Sequence, residues 1–193
     1  MTSMTYADAL RPAARRPALL FDFILLCGGS VLLALSAQLT VHLPIGPVPI
    51  TGQTFAVLLV GALMGSVLGG LVVLLYLAEG LSGLPVFAGG GAGPAILLGP
   101  TGGYLLGFVP AAVAVGFLAE RGWDRHFATT LAAMTMGTGV IFLCGLAWLA
   151  VLQLPGGLLA IGLLPFLPGA ALKIVAAALL LPLGWRLPGF KSR

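Results

Sequence analysis

The sequence of residues 53–78 is QTFAVLLVGALMGSVLGGLVVLLYLA, without a single charged side chain. A membrane-spanning helix needs about 20 mostly apolar residues to cross the roughly 30 Å of hydrocarbon in a bilayer. We predict two short and nearly contiguous spans here, 53–66 and 67–79. The two spans require a tight turn around Met64-Gly65-Ser66.

The rest of the chain shares this apolar composition. Of its 193 residues, 60% are hydrophobic and 7% are charged, whereas a soluble domain carries about 25% charged residues. The composition therefore indicates an integral membrane protein whose solvent is the lipid bilayer. The formal net charge of +4 does not indicate nucleic-acid binding, because the basic residues flank apolar spans.

We predict an all-α fold class, a bundle of six transmembrane helices. The spans are 19–42, 53–66, 67–79, 100–120, 127–152 and 164–186. Residues 1–18 form a cytoplasmic N-terminal segment, 19–186 the membrane domain and 187–193 a cytoplasmic tail. The first apolar run is also compatible with a cleavable signal peptide, but a retained span makes the charge arrangement of the whole chain consistent.

Every Lys and Arg except Lys173 falls in one of three short segments. The segments contain Arg11, Arg15 and Arg16; Arg121 and Arg125; and Arg186, Lys191 and Arg193. Cytoplasmic loops of membrane proteins carry an excess of basic residues. A cytoplasmic N-terminus and six crossings place all three segments on the cytoplasmic side, whereas five or seven crossings would not.

The three connections on the opposite side, 43–52, 80–99 and 153–163, contain no charged residue and are rich in Gly and Pro. They are either plain outer loops or the walls and lid of an outward-facing pocket. Irregular backbone near membrane depth is tolerated where protein buries it or where it lines a cavity. Apolar side chains in the second connection favour the pocket, because such side chains are expected to cover a cavity. They are Val86, Phe87, Ile96, Leu97 and Leu98.

Lys173 lies in the outer half of the last predicted span, 164–186. A Lys at the centre of a spanning helix costs about 2.5–3.5 kcal/mol on insertion scales, so it usually faces the bundle interior. It either binds an anionic ligand, forms an internal ion pair or extends to the surface. Glu79 is at a compatible depth and either neutralises Lys173, contacts the ligand or lies at the interface; Asp22 is too far for a direct pair.

Other kinds of site are not indicated. Gly89-Gly90-Gly91 is not followed by Lys-Ser/Thr, so it is no Walker-type ATP site. His42 and His126 lie on opposite sides of the membrane in this topology and cannot share a metal, and Cys27 and Cys144 are expected to be small buried hydrophobes. We predict no enzyme, because the chain lacks a nucleophile–base set. A self-powered ion-coupled carrier is not indicated either, because the spans contain almost none of the Asp, Glu and His residues that a proton relay needs.

Four strings in order closely resemble the BioY family. They are VPITGQT (48–54), GLPVFAGG (83–90), GPTGGYLLGF (99–108) and PFLPG (165–169) followed by Lys173. The BioY proteins are the biotin-specific substrate-binding (S) components of energy-coupling factor (ECF) transporters. The resemblance extends from about residue 25 to residue 185.

The resemblance implies a membrane protein that captures biotin from outside and needs no cofactor of its own. Its implied partners are a transmembrane coupling (T) component and ABC-type ATPases, which supply ATP hydrolysis, although some members are thought to work alone. By position, the polar residues around biotin would be Gln53, Thr101, Tyr104 and Lys173, with Gly89, Gly90 and Gly102 allowing close backbone approach.

The resemblance also implies a partner surface and shows one departure. Ser30 and Ala34 resemble the small residues with which the family contacts the T component. The family commonly has Asp three residues before the Lys, where this chain has Ala170. A scaffold with an internally paired Lys173 remains the structural alternative, and another small carboxylate-bearing vitamin the functional one.

Overall fold

The computed structural model describes residues 4–41, 46–155 and 157–186. Helices dominate this part of the chain, with one short antiparallel ladder. The elements are α1 (Tyr6–Leu10), α2 (Arg15–Gln38), β1 (Thr40–Val41), β2 (Ile50–Thr51), α3 (Gln53–Leu81), α4 (Pro94–Leu98), α5 (Gly102–Ala119), α6 (Phe127–Leu152), α7 (Leu158–Gly162) and α8 (Leu167–Trp185). Short 3-10 turns cover Ala88–Gly90 and Leu164–Phe166.

Five helical segments among the described residues are long and apolar enough to cross a membrane. They are Arg15–Gln38, Gln53–Leu81, Gly102–Ala119, Phe127–Leu152 and Leu158–Trp185. Large apolar side chains on their outer faces are exposed, as Val67 (74%) and Leu143 (70%) illustrate. Such faces are stable in lipid and unfavourable in water, so the chain is a multi-pass membrane protein.

The longest segment, α3, folds back on itself at Gly65. The φ and ψ angles of Gly65 are 83° and 179°, outside the helical region. A Cβ atom added to Gly69 would lie 2.9 Å from the Cα of Gly61, so the second half of α3 returns alongside the first. Glu120 accepts hydrogen bonds from the backbone N–H and the hydroxyl of Ser66 (2.7 and 2.8 Å), which caps the returning half. The predicted turn at Met64-Gly65-Ser66 is therefore found.

Several element boundaries differ from the prediction. The first long helix begins at Arg15 and ends at Gln38, four residues earlier at each end than predicted. The predicted 1–18 segment contains α1, whose N-cap Thr5 and N3 residue Asp8 form a capping box, a sequence signal that we did not use. The outer connections likewise contain the unpredicted helices α4 and α7. The predicted tail 187–193 lies outside the described residues.

Small residues bring the central helices into close contact. A Cβ added to Gly61 on α3 would lie 2.5 Å from the carbonyl oxygen of Ala112 on α5. A Cβ added to Gly107 on α5 would lie 2.8 Å from the Cβ of Cys144 on α6. In lipid, close backbone approach supplies the dispersion contacts that hold helices together. Cys27 and Cys144 are free thiols and half-buried, less buried than expected.

An aromatic and acidic cluster closes one end of the bundle. The ring of Tyr6 on α1 packs at 4.2 Å from that of Trp185 at the end of α8, and its hydroxyl donates to the carbonyl of Leu181. The indole N–H of Trp185 donates to Asp124 in the α5–α6 connection (2.6 Å). The guanidinium of Arg125 lies 4.6 Å above the Trp185 ring. These contacts fasten α1 to the bundle.

Candidate ligand-binding site

A cavity of about 370 Å³ lies at the opposite end of the bundle, within the size range of small-molecule sites. The segment 47–51, the start of α3 and residues of α5, α6 and α8 surround it. Most of its wall is apolar: Phe55, Leu58, Phe87, Phe108, Met134, Ile141, Phe142, Phe166 and Ile174. The first two outer connections thus line a pocket, as one of the two interpretations of the sequence required.

Lys173 is the cation of this cavity. Its ammonium nitrogen donates to the carbonyl oxygen of Thr51 (2.6 Å) and to the hydroxyl of Thr54 (2.9 Å). The side chain is half-buried and its residue lines the cavity. The amine is therefore directed across the cavity from α8 to the start of α3, and it does not extend to the surface.

Lys173 has no acidic partner among the described residues. The one ion pair in that part of the chain joins Arg11 and Asp22. Glu79 accepts a hydrogen bond from the buried hydroxyl of Ser30 and does not line the cavity. The alternative in which it neutralises Lys173 is therefore wrong. No acidic residue of the described segments lines the cavity. The internal ion pair predicted as an alternative for Lys173 is therefore not found in the part of the chain that the structure describes.

Gln53 lines the cavity but is only 3% exposed, and both the nitrogen and the oxygen of its amide form a hydrogen bond. Its Nε2 donates to the hydroxyl of Tyr76 (2.6 Å), and its Oε1 accepts from the hydroxyl of Thr51 (3.0 Å). The Tyr76 hydroxyl in turn donates to the carbonyl of Val86 (3.0 Å). Gln53 therefore joins the start of α3 to the second outer connection.

Thr101 and Tyr104 both line the cavity at the start of α5. The Tyr104 hydroxyl donates to the carbonyl of Gly162 at the end of α7 (2.6 Å), which leaves its ring as a wall of the cavity. The Thr101 hydroxyl makes a long hydrogen bond of 3.4 Å to the carbonyl of Ile96. Of these two residues, Thr101 has the hydroxyl that is less firmly bound within the protein.

The model of the BioY family matches residues 9–189 of this chain, nearly its whole length. The chain belongs to the BioY family. It is 39% identical over 141 residues to a protein named biotin transporter BioY from Thermotoga maritima, an alignment that covers 72% of this chain and 82% of the relative. A biotin transporter BioY from Rhizobium etli is 36% identical over 159 residues, which are 78% of this chain and 85% of that protein.

A solved structure shares the fold of this BioY chain. It is described as the S-component for biotin from an ECF-type ABC transporter, and it superimposes with a TM-score of 0.78 at 24% sequence identity. The match covers 93% of this chain and 98% of the solved chain. At this identity the likeness establishes the architecture of the helices.

Three glycines predicted to approach a ligand in this BioY chain do not line the cavity. Gly89 and Gly90 adopt positive φ angles of 65° and 76° in the 3-10 turn beside Ala88, which does line it. A Cβ added to Gly102 would lie 1.8 Å from the carbonyl oxygen of Leu97. These positions therefore need glycine for the turn and for helix packing.

The two small residues predicted to bind a partner lie on one turn of α2. Ser30 is fully buried against α3, whereas Ala34 is half-buried. Ser30 is therefore an internal contact of the BioY chain, and Ala34 is the member of the pair that remains accessible from outside.

Three polar residues of the cavity were not among the predicted site residues. Thr51 and Thr54 accept hydrogen bonds from Lys173, and Thr138 lines the cavity from α6. Thr54 lies inside one of the family-like strings, and Thr138 lies three residues from Ile141 on the same cavity face. Ala170, which replaces the common Asp of the family, lines the cavity one helical turn before Lys173.

Proposed function

We propose that this chain captures biotin from outside the cell and carries it across the plasma membrane. It does so as the substrate-binding subunit of an ECF-type transporter, or alone. Two relatives named biotin transporters are 36–39% identical to this chain, which supports biotin as its ligand. The observation that carries the proposal is the ammonium of Lys173 in a mostly apolar cavity that no described acidic residue lines.

The chemistry of Lys173 supports a carboxylate-bearing ligand. An ammonium group has three N–H donors, and two of them bind Thr51 and Thr54. The third N–H is available for the carboxylate of biotin, with a charge-assisted hydrogen bond that is roughly twice as strong as a neutral one. A ligand that brings a negative charge also neutralises the cavity.

The remaining walls suit the other parts of biotin. The aromatic and aliphatic side chains of the cavity match its apolar bicycle and chain, and the Thr101 and Thr138 hydroxyls supply polar partners for the ureido group. The ring of Tyr104 forms part of the wall. In this proposal Gln53 shapes the cavity through Thr51 and Tyr76.

The topology that fits this function has six membrane passes with both termini in the cytoplasm. The reversal of α3 at Gly65 supports counting that helix as two passes. The positions of the basic segments support the orientation. The T component and the ABC-type ATPases of an ECF module would then contact the membrane and cytoplasmic faces, with Ala34 on α2 as part of the contact surface. ATP hydrolysis would come from those partners.

Binding of biotin to the purified protein tests the proposal. We expect Lys173→Met to weaken binding by roughly 10- to 150-fold, since a hydrogen bond to a charged group contributes about 1.5–3 kcal/mol. Arg121→Met is the matched control, because Arg121 is an exposed cation stacked on Phe117 outside the cavity. Equal affinities of Lys173→Met and the parent protein would refute the role of Lys173.

A second small vitamin with a carboxylate is the alternative that the same geometry accommodates. Calorimetric titrations with lipoate, nicotinate and pantothenate, run beside biotin, separate the two. If the protein binds one of the other acids tightly and does not bind biotin, that acid is the ligand and the biotin proposal is wrong. If the purified protein binds neither biotin nor any of the other three acids, the proposed function is refuted.

A further inference from the structure

A continuous series of hydrogen bonds connects the cavity cation to the second outer connection. It runs from the ammonium of Lys173 to the carbonyl of Thr51 (2.6 Å), and from the Thr51 hydroxyl to Gln53 Oε1 (3.0 Å). It continues from Gln53 Nε2 to the Tyr76 hydroxyl (2.6 Å), and from there to the carbonyl of Val86 (3.0 Å). We call this series the latch.

The donors and acceptors of the latch permit one arrangement only. The Val86 carbonyl can only accept, so the single hydroxyl proton of Tyr76 is donated to it. Tyr76 must then accept from the NH₂ group of Gln53, which turns the Gln53 oxygen towards the hydroxyl of Thr51. Breaking any one bond leaves a polar group without its partner in a buried region, because Gln53 is 3% exposed and Tyr76 is fully buried.

The outer end of the latch holds a segment that closes the cavity. Residues 84–91, which we call the lid, place Phe87 and Ala88 in the cavity wall. The Phe87 ring is 1% exposed, packs edge-to-face on Tyr76 at 5.5 Å and occupies the space beside Gly80. Glycines with positive φ, Gly83 (101°) and Gly93 (83°), flank the lid and allow it to turn.

Tyr76 acts through its neighbours, because it does not itself line the cavity. We propose that Tyr76 and Thr51 are positioning residues that join the lid to the Lys173 ammonium, so that a ligand held at Lys173 is enclosed by the lid that the latch holds shut. The inference rests on the proposed function for the identity of the ligand. The coupling between Lys173 and the lid stands independently of that identity.

Hydrogen–deuterium exchange of peptides covering the lid tests the coupling in the ligand-free protein. Tyr76→Phe keeps the ring and removes the hydroxyl, and we expect lid exchange to accelerate by roughly 3- to 10-fold. Lys173→Met breaks the far end of the latch and should also accelerate lid exchange. Tyr6→Phe, the same change at the other end of the bundle, should not. If Tyr76→Phe does not fold, Gln53→Met breaks the same series.

The outcomes separate the latch from a local contact. Faster lid exchange in Tyr76→Phe together with unchanged exchange in Lys173→Met would overturn the inference, since the lid would then depend on Tyr76 and not on Lys173. Unchanged exchange in both variants would overturn it as well.

Biotin kinetics supply a second measurement. For Tyr76→Phe we expect dissociation to accelerate by roughly 3- to 10-fold with little change in association. Biotin dissociation from Tyr76→Phe at the parent rate would also count against the latch. A parent protein that binds no biotin contradicts the proposed function, whereas the exchange experiment still decides the latch.

Discussion

Gln53 and Tyr76 are 23 residues apart in α3, yet the amide of Gln53 donates a 2.6 Å hydrogen bond to the hydroxyl of Tyr76. A continuous helix rises 1.5 Å per residue and would separate the two residues by roughly 35 Å. The contact exists because the chain reverses at Gly65. Because of this reversal, one sequence segment provides both Gln53, which lines the cavity, and Tyr76, which donates a hydrogen bond to the lid.

The reversal makes Gly65 sensitive to substitution. An added Cβ would meet the Glu120 carboxylate at 2.8 Å, and the φ of 83° with ψ of 179° is accessible in practice to glycine only. We predict that Gly65→Ala destabilises the protein by about 1–3 kcal/mol or more, measured as a lower Tm in detergent.

Gly28→Ala is the matched control for that substitution. Gly28 lies within α2 and has nothing within 4 Å of an added Cβ. Alanine is favoured over glycine in a helix by up to about 1 kcal/mol, so this variant should be unchanged or more stable. A Gly65→Ala protein as stable as Gly28→Ala would contradict the role of Gly65 in the turn.

The sequence predicts the membrane class and the main spans because the relevant signals are local. An uncharged run requires lipid, and the glycine at position 65 lies where two short spans need a turn. The inward direction of Lys173 is favoured by the sequence as well, since an intramembrane cation usually faces the bundle interior, and Lys173 lines the cavity.

The partners of these residues are not predictable from local pattern. Thr51 and Thr54 meet Lys173 across more than 110 residues of sequence. Glu79 could be assigned to Lys173 on depth alone, but the register of α2 against α3 places Ser30 next to it. Depth in the membrane follows from sequence, whereas the rotation of each helix about its axis follows from packing with distant segments.

The burial of Asp124, at the end of the bundle that holds α1, predicts that the stability of the protein depends on pH. Burial raises the pKa of Asp124 above its ordinary value of 3.8, while the Trp185 N–H, its own backbone and Arg125 act in the opposite direction. The unfolded chain therefore loses this proton at lower pH than the folded protein. The contribution to stability is fully present below the ordinary pKa and decreases as pH rises through the raised folded pKa.

Thermal unfolding of Asp124→Asn and of the parent protein from pH 4 to pH 8 tests whether stability falls as pH rises. Asparagine keeps an oxygen that accepts from Trp185 and cannot ionise. We expect the Tm of the variant to exceed that of the parent by an amount that grows as pH rises. Parallel curves for the two proteins would show that Asp124 does not titrate differently on folding.

Thr54 helps to hold the ammonium group of Lys173 in the cavity. Its hydroxyl accepts one of the Lys173 N–H bonds at 2.9 Å, so Thr54→Val removes that partner with little change in volume. We predict that biotin binds roughly 3- to 10-fold more weakly to Thr54→Val and that Thr54→Ser restores the affinity. Weak binding by both variants would indicate that the methyl group of Thr54 is required in addition to its hydroxyl, whereas normal binding by Thr54→Val would contradict the role of the hydroxyl.

Ala170 allows the cavity charge to be changed directly. It lines the cavity one helical turn before Lys173, on the same face of α8. We predict that Ala170→Asp preserves or strengthens biotin binding, because the added carboxylate can accept hydrogen bonds from the ureido N–H groups of biotin. Isothermal titration measures the affinity, and Ala170→Asn is the control of equal size without the charge. A clear loss of affinity in Ala170→Asp with normal binding in Ala170→Asn would show that the proposed arrangement of biotin in the cavity is wrong at Ala170.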